Sequence, residues 1–132
     1  MSDPLFLTRE EVLAYHAQQL HLFGGQAGVG DEGLLDSALM QPQNTWLYNL
    51  RADLFDIAAA YAFHLTKNHA FNDGNKRTAL QAALAFLEVN QTGITASEGA
   101  LHDAMIRLTT SELDKEGFAL FLRSHQRASG QA

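Results

Sequence analysis

Cysteine is absent from the 132 residues, which excludes disulfides and thiolate metal sites. That fits a reducing cytoplasm, the expected location. Proline occurs only at Pro4 and Pro42, so no proline-rich linker divides the chain. No run approaches the ~18 apolar residues of a membrane span, and Met1-Ser2-Asp3-Pro4-Leu5 lacks a basic stretch leading into an apolar one. Neither a span nor a targeting segment is expected. Cations are scarce, nine against fifteen acids for a net charge of −6. Direct nucleic-acid or anionic-membrane binding, which draws on clustered Lys and Arg, is therefore not expected. What remains is a globular mixture, 46% hydrophobic and 18% charged. A chain of this size buries about two-thirds of its unfolded surface, enough for a single domain over 1–132. Residues 128–132 are expected to fray.

Thr8 and Glu11 have capping-box spacing, with Leu7 and Val12 placed as a hydrophobic staple, so a helix is predicted from Arg9 to the Gly24-Gly25 pair. Gly24, Gly25, Gly28 and Gly30 resemble a phosphate loop superficially. No apolar strand precedes them and no Lys-Ser/Thr follows, so they are read as a hinge. Asp31 should cap a short helix through Leu39 that stops before Pro42. The following Gln43 to Asn49 reads as a polar linker whose Trp46 and Tyr48 either cover the core or, beside an active site, hold a partner peptide.

Two central helices are predicted, about Asp53 to Thr66 and Thr78 to Val89. The first is apolar on nearly every side and therefore buried; the alanines of the second permit close helix approach. Further helices should run from Ser97 to about Thr109 and from Leu113 to about His125. No segment alternates convincingly as a strand, so the class is all-α, a bundle of about six helices with one loop between the central pair.

Chemistry concentrates in that loop, His69-Ala70-Phe71-Asn72-Asp73-Gly74-Asn75-Lys76-Arg77. Lys67, Lys76 and Arg77 fall within eleven positions that hold a single acid, Asp73, opposing the charge of the whole. A solvated helix face is the plain alternative for such a cluster. A helix entry offers unpaired N–H groups and a positive dipole end, so Gly74 and Asn75 make a seat for phosphate oxygens. Asn72 belongs to the same candidate seat. His69 can accept a hydroxyl proton near neutral pH. Asp73 is a hard carboxylate suited to Mg²⁺ on a nucleotide. Arg77 offers a fork for two phosphate oxygens and Lys76 a compact mobile charge. Phe71 should anchor the loop to the core. The remaining histidines, His16, His21, His64, His102 and His125, are read as structural. A base, a metal-binding acid, a small residue and two cations in this order describe phosphoryl or nucleotidyl transfer to a hydroxyl.

The loop also resembles the signature of the Fic/Doc family, His-Pro-Phe-x-Asp/Glu-Gly-Asn-Gly/Lys-Arg. The likeness extends to the Asp31 to Leu39 segment and the Asp56 to Phe63 run, both similar to the Doc branch. The resemblance implies a compact Fic-type helical bundle, with ATP and Mg²⁺ as cofactors. By it His69 activates the target hydroxyl, Asp73 holds the metal, and Gly74, Asn75, Lys76 and Arg77 cradle phosphate. Adenylylating members usually carry Gly where this chain has Lys76, and a second Arg where it has Leu80. Doc proteins share the Lys and are similar to toxins that pass the γ-phosphate of ATP to a threonine of elongation factor Tu, halting translation. The family's inhibitory Ser/Thr-x-x-x-Glu helix has no match here, since no Ser or Thr is followed four positions later by Glu. The resemblance therefore implies a separate antitoxin whose C-terminal segment covers the site. The expected activity is a toxin kinase. An adenylyltransferase is the runner-up, and a non-enzymatic nucleotide- or partner-binding module is the rival of another class.

Overall fold

Side-chain caps set where most of the helices begin in the computed structural model, which describes residues 3–128. Helix α1 (Arg9–Phe23) opens on the expected capping box: Glu11 N–H donates to Thr8 Oγ1 at 3.1 Å, and Thr8 N–H to Glu11 Oε1 at 2.9 Å. Asp31 caps α2 (Glu32–Tyr48), Asp53 caps α3 (Leu54–Asn68), Ser97 caps α5 (Glu98–Thr109) and Asp114 caps α6 (Lys115–Ser124). Helix α4 (Asn75–Val89) starts at Gly74 with no side-chain cap. Among the described residues there is no strand, only two isolated bridges, so the class is all-α as predicted.

Helix α3 is the axis of the bundle, with α2, α4, α5 and α6 around it. Ala58, Ala59, Ala60 and Ala62 on α3, and Ala79, Ala82 and Ala83 on α4, are wholly buried. These short side chains let the two backbones approach, while Phe86, Leu87, Ile57 and Leu65 fill the space beside them. Each such large side chain contributes about 1.5–3 kcal/mol of transfer free energy. At the far end of α3, Arg123 of α6 donates to both oxygens of Asp53 at 2.9 and 3.1 Å and reaches Asp56 at 3.4 Å. Partial burial opposes ionisation of Asp53, but its hydrogen bonds from Arg123 and Asp56 outweigh that and hold it below the usual carboxylate range. Burial and the Asp53 charge push Asp56 up.

Three expectations change. Helix α2 does not stop before Pro42; it runs through Pro42 to Tyr48, so the linker over 43–49 is mostly helix. Leu35, Ala38 and Pro42 form one buried stripe at i, i+3 and i+7, so packing favours a continuous helix despite the N–H that proline lacks. Trp46 consequently packs partly buried against the core. It sits near the start of α3, a whole helix away from the loop that follows Asn68, and so does not stand beside the active loop. Helix α4 begins at Asn75 rather than Thr78, which draws Lys76 and Arg77 into its first turn. The tail expected to fray lies, apart from Ala128, outside the described residues.

Candidate active site

The loop between α3 and α4 is held by backbone contacts to the glycine segment after α1. His69 ends α3 in the left-handed region, φ 49° and ψ 46°, which turns the chain sharply out of the helix. Ala70 is buried, and its carbonyl accepts from Gly30 N–H at 2.8 Å and Asp31 N–H at 3.1 Å. Asn72 N–H donates to Gly28 O at 3.2 Å, and its side-chain amide to Ala27 O at 3.0 Å. The glycine segment is thus a clamp laid along the loop, not the hinge its composition predicted. Glycine is needed at position 25: φ is 120°, and a Cβ there would lie 3.1 Å from the Asp73 Cβ.

Two side chains brace the loop from within. Phe71 is buried as expected, and its ring stacks on His16 with centroids 3.8 Å apart and planes 11° apart. His16 Nε2–H donates to the Asp73 carbonyl at 2.7 Å, which fixes the tautomer because a carbonyl can only accept. Asn75 folds back on Phe71, accepting from its N–H at 3.0 Å and donating to its carbonyl at 2.9 Å. The Asn75 side chain therefore braces the loop instead of standing free for a phosphate oxygen. What this residue retains for an anion is its backbone N–H, in the uncapped first turn of α4.

The result is a cavity of about 370 Å³, within the range of small-molecule sites. His69, Asn72, Asp73, Gly74, Asn75, Lys76 and Arg77, all the residues singled out from the sequence, line it together. Thr66, His102 and Thr109 line it too and were not singled out. Nothing local marks them. Thr66 lies one turn before His69, but His102 and Thr109 arrive on α5, more than thirty positions along the chain, and only packing brings them in.

Electrostatically the cavity opposes the molecule, with Lys76 and Arg77 against one carboxylate in a chain of net charge −6. Asn75, Lys76 and Arg77 are the first three residues of α4, so their N–H groups have no carbonyl one turn back within the helix, and no side chain caps them. These donors and the positive dipole end suit an anionic oxygen. His69 and Asp73 are exposed on the cavity, open to a large substrate.

A divalent cation fits the donor set in one way. No cluster of three or more His, Asp or Glu capable of holding a metal exists among the described residues. Asp73 is a single hard carboxylate: Oδ2 accepts from Gln26 N–H at 2.7 Å, which fixes the group and leaves Oδ1 to a ligand. One carboxylate with the rest of the shell from phosphates and water is a Mg²⁺ pattern, not a transition-metal one.

Comparison with known proteins places the chain in a family. A model of the Fic/DOC family matches residues 6–87, from the start of the bundle through the loop and most of α4. The chain is 33% identical over 117 residues to the protein kinase doc of Escherichia phage P1, covering 89% of this chain and 92% of that protein. It is 40% identical over 118 residues to toxin Doc of Mycolicibacterium smegmatis, covering 86% and 88%. Among the described residues no helix is long and apolar enough to cross a membrane. With the loop order, the six-helix bundle and these relatives together, the chain belongs to the Fic/DOC family, in its Doc branch.

Proposed function

We propose that the protein is a Doc-type toxin kinase that transfers the γ-phosphate of ATP to a threonine hydroxyl of elongation factor Tu. The observation that carries the choice of phosphate is the different surroundings of Lys76 and Leu80. Lys76 lines the cavity with His69, while Leu80, where adenylylating relatives of the family's broad pattern carry a second Arg, lines a neighbouring apolar groove. Without that Arg, α4 lacks the side chain that in adenylylating relatives helps present the α-phosphate, and Lys76 adds a mobile cation where γ-phosphate charge would be met. The name of the phage P1 relative, protein kinase doc, points the same way, and that of the Mycolicibacterium smegmatis relative, toxin Doc, supports the toxin part of the reading.

In this reading His69 accepts the proton of the threonine hydroxyl as its oxygen attacks the γ-phosphorus. The new O–P bond forms as the bond to the β,γ-bridging oxygen breaks, and ADP leaves. Gly74, Asn75 and Asn72 shape the phosphate seat, and Lys76 and Arg77 meet the charge spread over the phosphoryl oxygens. Asp73 would hold Mg²⁺, which when bound neutralises phosphate charge and orients the chain of phosphates.

A partner must restrain such an enzyme, and the groove supports an antitoxin segment. It encloses about 850 Å³ between α1, α4 and α5, is lined by Leu22, Phe23, Leu80, Leu84 and Leu101, and shares Arg77 and His102 with the cavity. An amphipathic C-terminal helix of the antitoxin laid there would reach the mouth of the site.

Radiolabel transfer tests the reading. Supplied with γ-labelled and α-labelled ATP in turn, the protein should mark elongation factor Tu from the γ position alone. Label arriving from the α position would establish adenylyl transfer instead.

A further inference from the structure

Arg77 is held in place by a ring instead of an acid. Its guanidinium carbon lies 4.3 Å from the centroid of Phe23, and among the described residues it enters no ion pair. Phe23 is the last residue of α1 and is 59% exposed, so burial does not account for an aromatic at this position. The corner that carries it is fixed to the active loop. Gly24, at φ 78°, closes α1 by donating to Leu20 O at 2.7 Å, and two residues later Gln26 N–H holds the Asp73 carboxylate. The contacts that set Asp73 therefore also set the distance from Phe23 to Arg77.

The chemistry of a cation over a ring suits this task. A ring attracts the guanidinium through its face and offers no oxygen to occupy its N–H donors, which stay available to a ligand. A carboxylate partner would orient the same side chain but occupy those donors and cancel its charge. We propose that Phe23 is a positioning residue of the phosphate site, holding Arg77 at the cavity mouth with its fork free for phosphate oxygens. This rests on the reading of Arg77 as a phosphate ligand.

The test is the affinity for Mg·ATP, measured by calorimetric titration beside the thermal midpoint. The variants are Phe23→Leu, Phe23→Trp, Arg77→Ala and the double variant Phe23→Leu with Arg77→Ala. Leucine keeps apolar bulk and removes the ring; it should weaken binding about two- to fivefold, the scale of an exposed cation–π contact. The thermal midpoint should stay at the wild-type value, since Phe23 is mostly in water. Tryptophan should retain wild-type affinity. Once Arg77 is alanine, Phe23→Leu should cost nothing further, because its effect passes through the guanidinium. A neutral Phe23→Leu beside a damaged Arg77→Ala, or an equal loss in both backgrounds, overturns this inference alone. An Arg77→Ala variant that binds Mg·ATP as the wild type does removes the phosphate-ligand reading and the inference with it.

Discussion

The N-terminus of α4 differs from the other five helix starts in what satisfies its amides. Thr8, Asp31, Asp53, Ser97 and Asp114 each accept from a backbone N–H of their own helix, whereas Gly74 brings no side chain at all. A capped start gains about 1 kcal/mol and closes itself to ligands. An uncapped start gives up that stabilisation and keeps donors for an anion. Gly74 makes the exchange specific: its φ of 78° costs little only for glycine, and a Cβ there would lie 3.4 Å from Leu20 and 3.5 Å from His16. Among the described residues the helix starts thus divide into five closed by a side chain and one whose donors no side chain caps.

Substitutions can break that contrast, and the largest effect belongs to the residue facing the uncapped end. His69→Ala should lower phosphoryl transfer by about 10²–10⁴-fold, the range of general-base catalysis, with the thermal midpoint unchanged because His69 is exposed. A non-enzymatic binding module would keep its cellular effect in this variant, so toxicity and transfer are both measured. Next comes converting the open start into an occupied one. Gly74→Asp places a carboxylate in the phosphate seat, and like charges about 4 Å apart at a surface dielectric of about 20 oppose each other by a few kcal/mol. Mg·ATP affinity should fall more than about tenfold in titration.

The reverse experiment addresses a capped helix. Ser97→Ala removes the hydroxyl that accepts from Ala100 N–H at 3.1 Å and should cost about 1 kcal/mol in urea denaturation, with Mg·ATP affinity untouched. A nucleotide effect from Ser97 as large as that from Gly74 would erase the distinction between the two kinds of start.

The last effect is gradual in pH and concerns a side-chain pair outside the cavity. Half-burial, reinforced by the Lys115 charge, lowers the pKa of His64 from 6.5 to about 4. Lys115 Nζ donates to its Nε2 at 3.1 Å, a contact that needs the neutral ring. Between those values the unfolded chain binds the proton that the folded one refuses, so stability falls as pH drops from about 6.5 toward 4. His64→Gln should flatten that part of the stability profile while leaving catalysis alone.

How much was legible depends on the range of the interaction. Capping spacing announced α1 from Thr8 and Glu11, and the apolar surround of α3 announced its burial, because both are written within a few residues. Pro42 misled for the same reason: its local rule says stop, while the buried stripe through Leu35 and Ala38 that overrides it exists only against a neighbouring helix. The site residues from His69 to Arg77 were readable as one cluster because they are contiguous. His16 carries no local sign of its role, because its hold on the Asp73 carbonyl joins residues 57 positions apart. The glycine segment looks free in the sequence because its partners, the Ala70 carbonyl and the Asn72 amide, belong to the distant loop.

By itself the sequence determined the order of chemical groups, a base, an acid, a glycine, an amide and two cations, and the helical runs on either side. Residue identity and short spacing suffice for that. Tertiary structure decided which atoms of those groups face the cavity. It turned the Asn75 amide inward, fixed one oxygen of Asp73 on Gln26, laid Arg77 on Phe23 and brought His102 to the rim. Each depends on where one helix stands against another, and that position is set by the packing of the whole bundle, not by neighbours in the chain.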